Sequence, residues 1–378
     1  MFLIWADRIT EVQDSGGIRN NVKRIIFNRM KKIIYRTLIF LLLAVVTVGC
    51  DTEALPLEIQ KLKSYDEQYY ENLRAYKQSD HTLSFVWYAA YAPLEGVSGY
   101  KDPASWGERL IGLPDSIDIV SLWMGIPSND PASDSYAPIA YDDMRFVQEV
   151  KGTRFVAPTI VRMNKVITLK DGTEYDLSAN QNDEGIAVYG QYLVDQVLDA
   201  DIDGIDLDYE PEGDWLQGEQ FTKLVQYIGQ FFGPQGSDPD KLLIVDFYSQ
   251  YPPQETDPYV NYYIRQAYTQ GFTEHTASRL QSYYNSISWA SPEKFIVTEN
   301  LGSWFENGGS PFVEVDGNTL SSDGSRMHSL EGMARWNPLQ GKKGGFGAFY
   351  VDRDYYSNRG IPYYYTRRAI QMANPAIQ

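Results

Sequence analysis

Between positions 84 and 352 the sequence sets eight short β-rich runs in alternation with helical stretches, an order that few folds accept. The runs are 84–92, 117–125, 154–162, 202–210, 242–249, 279–285, 294–302 and 345–352. Several are nearly continuous in apolar residues, as parallel strands must be when both faces of the sheet are covered. Helical spacing is clearest at 184–198, through Ile186, Tyr189, Tyr192, Leu193 and Val197, and at 221–232, through Leu224, Val225, Ile228, Phe231 and Phe232. Asn182 and Asp183 stand where the first of these helices needs a cap. Eight βα units in succession predict an α/β protein built as a single (β/α)8 TIM barrel, with its chemistry at the C-terminal ends of the strands. A chain of 378 residues holds one such domain and requires no second.

The fourth run reads Asp203-Gly204-Ile205-Asp206-Leu207-Asp208-Tyr209-Glu210. Side chains of a strand alternate between faces, so Asp206, Asp208 and Glu210 share one face while Ile205, Leu207 and Tyr209 share the other. Neighbouring carboxyls on that face are roughly 6.5 Å apart, from a rise of about 3.3 Å per residue. At least one is then expected to hold its proton unusually tightly, the state that a general acid needs near neutral pH. Glu210 ends the run, where a barrel enzyme works. Asp203 is out of phase with the other acids, and together with Gly204 it reads as a structural feature of the strand entrance.

The same stretch fits the calcium-loop pattern D-x-D-x-D-G-x5-E through Asp199, Asp201, Asp203, Gly204 and Glu210. Its context does not fit. Asp206 stands two after the glycine, where an apolar residue is normal, and Pro211-Glu212-Gly213 breaks the helix that should follow. No metal is expected. A merely solvated acidic strand is also disfavoured, because Ile202, Ile205, Leu207 and Tyr209 need a buried face to pack on.

A net charge of −17 argues against binding nucleic acid or anionic lipid through a basic patch, and leaves neutral or cationic partners favoured. Aromatic residues make up 14% of the chain, and aromatic faces suit the apolar faces of sugar rings.

Cys50 is the single cysteine and forms no intrachain disulfide. Lys31, Lys32 and Arg36 precede the apolar run 38–48, which ends at Gly49-Cys50, the layout of a secretory signal. The run is short of the roughly 20 residues a membrane-spanning helix needs. Val46-Thr47-Val48-Gly49-Cys50 resembles a bacterial lipobox, with Thr47 where leucine is commonest, and this assigns Cys50 as the lipidated residue. Met30 stands directly before the basic start, so residues 1–29 read as an upstream extension and 1–49 as extension plus signal. Residues 50–80 are then a tether and lead-in, and 81–378 the barrel. Asp51 and Glu53 loosely resemble surface-export signals of Bacteroides-type lipoproteins, so a lipid-anchored place in a bacterial cell envelope is expected, at the outer membrane.

The run 203–210 resembles, in full, the D-G-x-D-x-D-x-E signature of glycoside hydrolase family 18, a TIM-barrel family with this motif on strand four. Gln281-Ser282-Tyr283, in the sixth run, is similar to the Q-x-Y element that endoglycosidases of the family place opposite the acids. What this resemblance implies is substrate-assisted hydrolysis with retention, an exception to the two-carboxylate scheme. Glu210 protonates the leaving oxygen, and the substrate's own acetamido oxygen attacks to give an oxazolinium ion that water opens with Glu210 as base. Asp208 orients the acetamido group and stabilises its charge, Asp206 supports Asp208, and Gln281 and Tyr283 hold the acetamido oxygen in line. No cofactor is implied.

Two departures from chitinase patterns narrow the expectation. Run 154–162 lacks the S-x-G-G element common in chitinases, and run 345–352 has no tryptophan for the floor of the −1 sugar site. Tyr350 is the candidate for that surface, with Trp304, in the Gly- and Ser-rich loop 303–325, as a second aromatic for substrate binding. The expected activity is an endo-β-N-acetylglucosaminidase that cuts between the two core N-acetylglucosamines of N-glycans, acting as a monomer. The alternatives are a chitinase or chito-oligosaccharide hydrolase and a non-catalytic glycan-binding lipoprotein, the last disfavoured by the presence of Glu210.

Overall fold

A computed structural model describes residues 27–32, 65–89, 107–269, 273–357 and 359–375. The chain divides into compact units of residues 1–59 and 60–378. In the first, 27–32 are helical. Cys50, the apolar run before it and the tether to position 64 lie outside the described residues. Among the described residues no helix is long and apolar enough to cross a membrane.

The second unit is a closed barrel of eight parallel strands: β1 (Leu83–Tyr88), β2 (Ile119–Leu122), β3 (Arg154–Ile160), β4 (Gly204–Tyr209), β5 (Leu242–Phe247), β6 (Tyr262–Gln266), β7 (Phe295–Asn300) and β8 (Gly345–Phe349). Each strand pairs with its neighbours in sequence, and β1 closes on β8 with Leu83 opposite Gly345. Period-two alternation divides the core into two parts. Phe85, Trp87, Ile119, Val156, Leu242, Ile244, Ile264 and Ile296 fill the barrel interior. Residues of opposite parity, among them Phe155, Ile205, Leu207, Val245, Tyr263 and Val297, pack outward against the helices. That double burial explains the continuous apolar runs. On β4 the inward positions are acids instead of isoleucines, so this strand spends its interior face on chemistry. Gly204 opens it at φ 150°, where a Cβ would stand 2.2 Å from the Leu242 carbonyl oxygen, so no larger residue fits.

Seven of the eight sequence runs overlap barrel strands, and the exception is the sixth. Run 279–285 belongs to a helix, Ala277–Asn285, whose first turn is capped by Thr276 Oγ1 accepting the Arg279 amide. Ala277, Leu280 and Tyr284 are its buried residues, a helical spacing that the β-prone tyrosine pair conceals. The true sixth strand is β6. Its outward Arg265 makes it read as polar, yet that guanidinium is buried and lies 4.3 Å from the centre of the Tyr283 ring.

The compact unit starts at Gln60, ahead of the expected position 81. Helix Glu67–Gln78 of the lead-in buries Tyr70 and Leu73, with Tyr70 edge-on to Phe146 and Arg74 donating to the Val150 carbonyl. After β7 the loop is ordered: Phe312–Val313 pairs in parallel with His275–Thr276, and Phe312 is fully buried.

Candidate active site

The inward face of β4 delivers Asp206 and Asp208 into the barrel, and Glu210 follows at the mouth. Asp206 is fully buried, and its Oδ2 accepts Trp87 Nε1 from β1 at 2.9 Å and Ser121 Oγ from β2 at 2.8 Å. Asp208 is 2% exposed and stands in register with Asp246 of β5. Gln266, the last residue of β6, donates from Nε2 to Asp246 Oδ1 at 2.5 Å and to Asp208 Oδ1 at 3.3 Å. Glu210 is half-buried. Its backbone carbonyl is gripped by Arg162 through Nε at 2.8 Å and Nη2 at 2.7 Å, and Arg162 also pairs with Glu212 at 2.8 Å.

Burial dominates the electrostatics. Desolvation pushes the Asp206 carboxyl up to about 6, against the hydrogen bonds from Ser121, Asp246 and Trp87. Asp208 is raised well above the usual carboxylate range by desolvation, then by the negative fields of Glu210 and Asp206. Asp246 is likewise raised, by desolvation and by Asp208 and Asp206. Glu210 is raised by its partial burial and by Glu212, while Arg162 and Gln266 pull the other way. A carboxyl held protonated at a cleft mouth is suited to proton donation.

Aromatic side chains ring these acids. Tyr268, two residues beyond Gln266, stacks on Phe349 at 6.0 Å and on Tyr248 at 6.3 Å, and its hydroxyl is pushed up by burial and by the fields of Asp246, Asp208 and Glu210. Phe349 ends β8 with inward parity and meets Trp123 edge-on at 5.1 Å and Trp87 at 6.0 Å. Tyr350, the expected sugar platform, has a left-handed backbone at φ 54°, and its ring centre lies 4.0 Å from that of Phe349. Phe349, one residue earlier, has the inward parity of the strand. Trp304 closes the short helix Leu301–Trp304 after β7, on the mouth side, with its Nε1 buried.

Gln281 and Tyr283 do not join the acids. On an outer helix, Gln281 donates to Asn285 and Gln340, and Tyr283 covers the outward Arg265. The Q-x-Y spacing instead occurs at Gln266-Ala267-Tyr268, at the end of the sixth strand and against the acids. Asp246 carries no motif signal. It could be found only by noting an acid at inward parity in the otherwise apolar run Leu242–Phe247.

Asp203 secures the other end of β4, accepting the Phe155 amide and Gln148 Nε2, each at 2.8 Å. Asp199 pairs with Lys170 at the surface. The acids of the calcium-loop pattern are thus spread from a helix end along a whole strand to the opposite mouth. Among the described residues no group of His, Cys, Asp and Glu is arranged to hold a metal ion.

Comparison with known proteins agrees with this geometry. Residues 51–372 match the family described as glycoside hydrolase family 18, BT1044-like. Endo-beta-N-acetylglucosaminidase F2 of Elizabethkingia meningoseptica is 28% identical over 290 residues, covering 75% of this chain and 77% of that protein. Among solved structures, BT1044 with a glutamate-to-glutamine substitution superposes at a TM-score of 0.62 and 21% identity, over 82% of this chain and 93% of that one. A doubly substituted endo-beta-N-acetylglucosaminidase from Cordyceps militaris, in complex with fucosyl-N-acetylglucosamine-Asn, gives 0.57 at 20% identity, over 83% and 98%. Chitinases share the barrel at lower identity, so the fold alone does not choose between the two activities. With a family match spanning most of its length and the complete acid motif leading to the mouth of β4, the chain belongs to glycoside hydrolase family 18.

Proposed function

We propose that the protein is an endo-β-N-acetylglucosaminidase that cleaves the β-1,4 bond between the two core N-acetylglucosamines of N-glycans. The observation that carries this reading is the meeting of Gln266 and Tyr268 with Asp208 and Glu210 at one barrel mouth. The similarity to an endo-β-N-acetylglucosaminidase over three quarters of the chain supports it.

In this mechanism Glu210, whose carboxyl is raised by burial and by Glu212, donates to the leaving glycosidic oxygen. The acetamido oxygen of the −1 sugar attacks its own anomeric carbon, and water opens the resulting oxazolinium ion with Glu210 as base. Asp208 accepts the acetamido N–H and offsets the developing positive charge. Gln266 and Tyr268 take the role first assigned to Gln281 and Tyr283, holding the acetamido oxygen in line, and Phe349 supplies the apolar floor. The lipobox-like junction supports anchoring through Cys50 in a bacterial envelope, where the enzyme meets glycoproteins from outside the cell.

The test is to incubate the protein with an N-glycosylated substrate and weigh the products. Sites retaining a single N-acetylglucosamine are expected. Glycans left intact while linear N-acetylglucosamine oligomers are cut would transfer the assignment to chitin.

A further inference from the structure

Three carboxyls, Asp206, Asp208 and Asp246, lie at most 2% exposed between β4 and β5, and none forms an ion pair with a described residue. Three buried negative charges at this spacing are prohibitively costly, so the cluster must retain protons. Hydrogen bonding decides where. Asp206 Oδ2 receives two donors, from Trp87 and Ser121, which stabilise Asp206 as the anion. Asp246 Oδ1 receives one neutral amide, from Gln266. The remaining oxygens, Asp206 Oδ1 and Asp246 Oδ2, are buried with no hydrogen-bond partner among the described residues. Buried carboxyl oxygens left without a donor are where the retained proton is accommodated.

We infer that Asp246 is a positioning residue that holds a proton of this cluster and donates it toward the carboxyls of β4. The groups facing Asp246 are consistent with this arrangement. Asp206 and Asp208 approach from β4 and Tyr268 from beyond β6, all of them acids, with Gln266 the neutral neighbour. Arg162, after β3, acts on Asp208 and Glu210. A second role follows. Gln266 Nε2 reaches Asp208 while tied to Asp246, so Asp246 also fixes the amide that meets the substrate-facing carboxyl. The consequence for catalysis rests on the function proposed above; the proton itself does not.

A protonated aspartate and an asparagine have the same shape and the same donor, which makes Asp246→Asn the conservative variant and Asp246→Ala the disruptive one. Carboxyl NMR of the full chain labelled with 13C-aspartate, without substrate at neutral pH, reads the proton directly. One protonated-carboxyl signal should vanish in Asp246→Asn, and the protonated signals should persist in Asp206→Asn. With whichever glycan the enzyme cuts, Asp246→Ala should lower kcat on the order of 100-fold and Asp246→Asn should restore it to within about tenfold. Absence of any protonated signal from the unsubstituted protein, persistence of the full set in Asp246→Asn, or loss in Asp206→Asn overturns the assignment. An Asn variant as impaired as the Ala variant overturns it equally, and none of these outcomes depends on which glycan is the substrate.

Discussion

Gln266 Nε2 stands 2.5 Å from Asp246 Oδ1 and 3.3 Å from Asp208 Oδ1, so one side-chain amide ties carboxyls of two neighbouring strands. The amide comes from the last residue of β6, so its position is set by strand packing instead of by a loop. Removing it leaves Asp208 without its orienting donor. Gln266→Ala is therefore expected to lower kcat about 10- to 100-fold with a smaller effect on KM, because the contact matters most when charge develops. Gln281→Ala, on the outer helix, should leave both constants within about twofold. Steady-state kinetics of the two variants tests which Q-x-Y element acts at the acids.

Glu212 is a charge that tunes the acid from outside. Its carboxylate raises Glu210, and Arg162, which it partly neutralises, lowers Glu210. Glu212→Gln removes the first influence and strengthens the second, so both move the Glu210 carboxyl downward. The alkaline limb of kcat/KM should shift to lower pH in Glu212→Gln, by a fraction of a unit given its exposure, and the difference should shrink in 0.5 M salt. A shift to higher pH contradicts the assignment of that limb to Glu210.

The acid cluster costs stability at neutral pH. Asp206, with a usual value of 3.8, is raised to about 6, and Asp208 is raised further, so the folded state binds protons that the unfolded state has lost. Stability is then lost as pH rises from about 4 through about 6 and beyond. Asp208→Asn removes one of these groups and should melt at least about 2 °C higher than the unsubstituted protein at pH 8, with the gap closing toward pH 4. Melting curves followed by circular dichroism across that range decide it, and a gap that is constant with pH rules out the cluster as its source.

At the mouth, Phe349 and not Tyr350 has the inward position. Phe349→Ala should reduce kcat/KM about 10- to 100-fold through loss of the sugar's apolar contact, whereas Phe349→Trp should retain most of it. Tyr350→Ala should remain within about threefold. Equal losses in Phe349→Ala and Tyr350→Ala would return the platform role to Tyr350.

The barrel was legible because seven strands bury both faces and announce themselves as apolar runs. The acid motif was legible because period two puts Asp206, Asp208 and Glu210 on one face whatever the tertiary context. The sixth strand was concealed by two features. Tyr283 and Tyr284 give a helix the composition of a strand, and Arg265, whose charge is covered by Tyr283, Tyr248 and Phe247, gives a buried strand the look of a loop. That exchange carried the Q-x-Y assignment with it, although Gln266-Ala267-Tyr268 has the same spacing. Asp246 escaped because its importance lies in a register partner, Asp208, that only pairing of β4 with β5 reveals.

The most direct test of the whole account uses one glycoprotein and one substitution. Mass spectrometry of an N-glycosylated protein treated with the enzyme should find a single N-acetylglucosamine on each released site, and Glu210→Gln should cut at least about 1000-fold more slowly while still binding the glycan. Sites cleaved to bare asparagine, or turnover by Glu210→Gln equal to that of the unsubstituted enzyme, would contradict it.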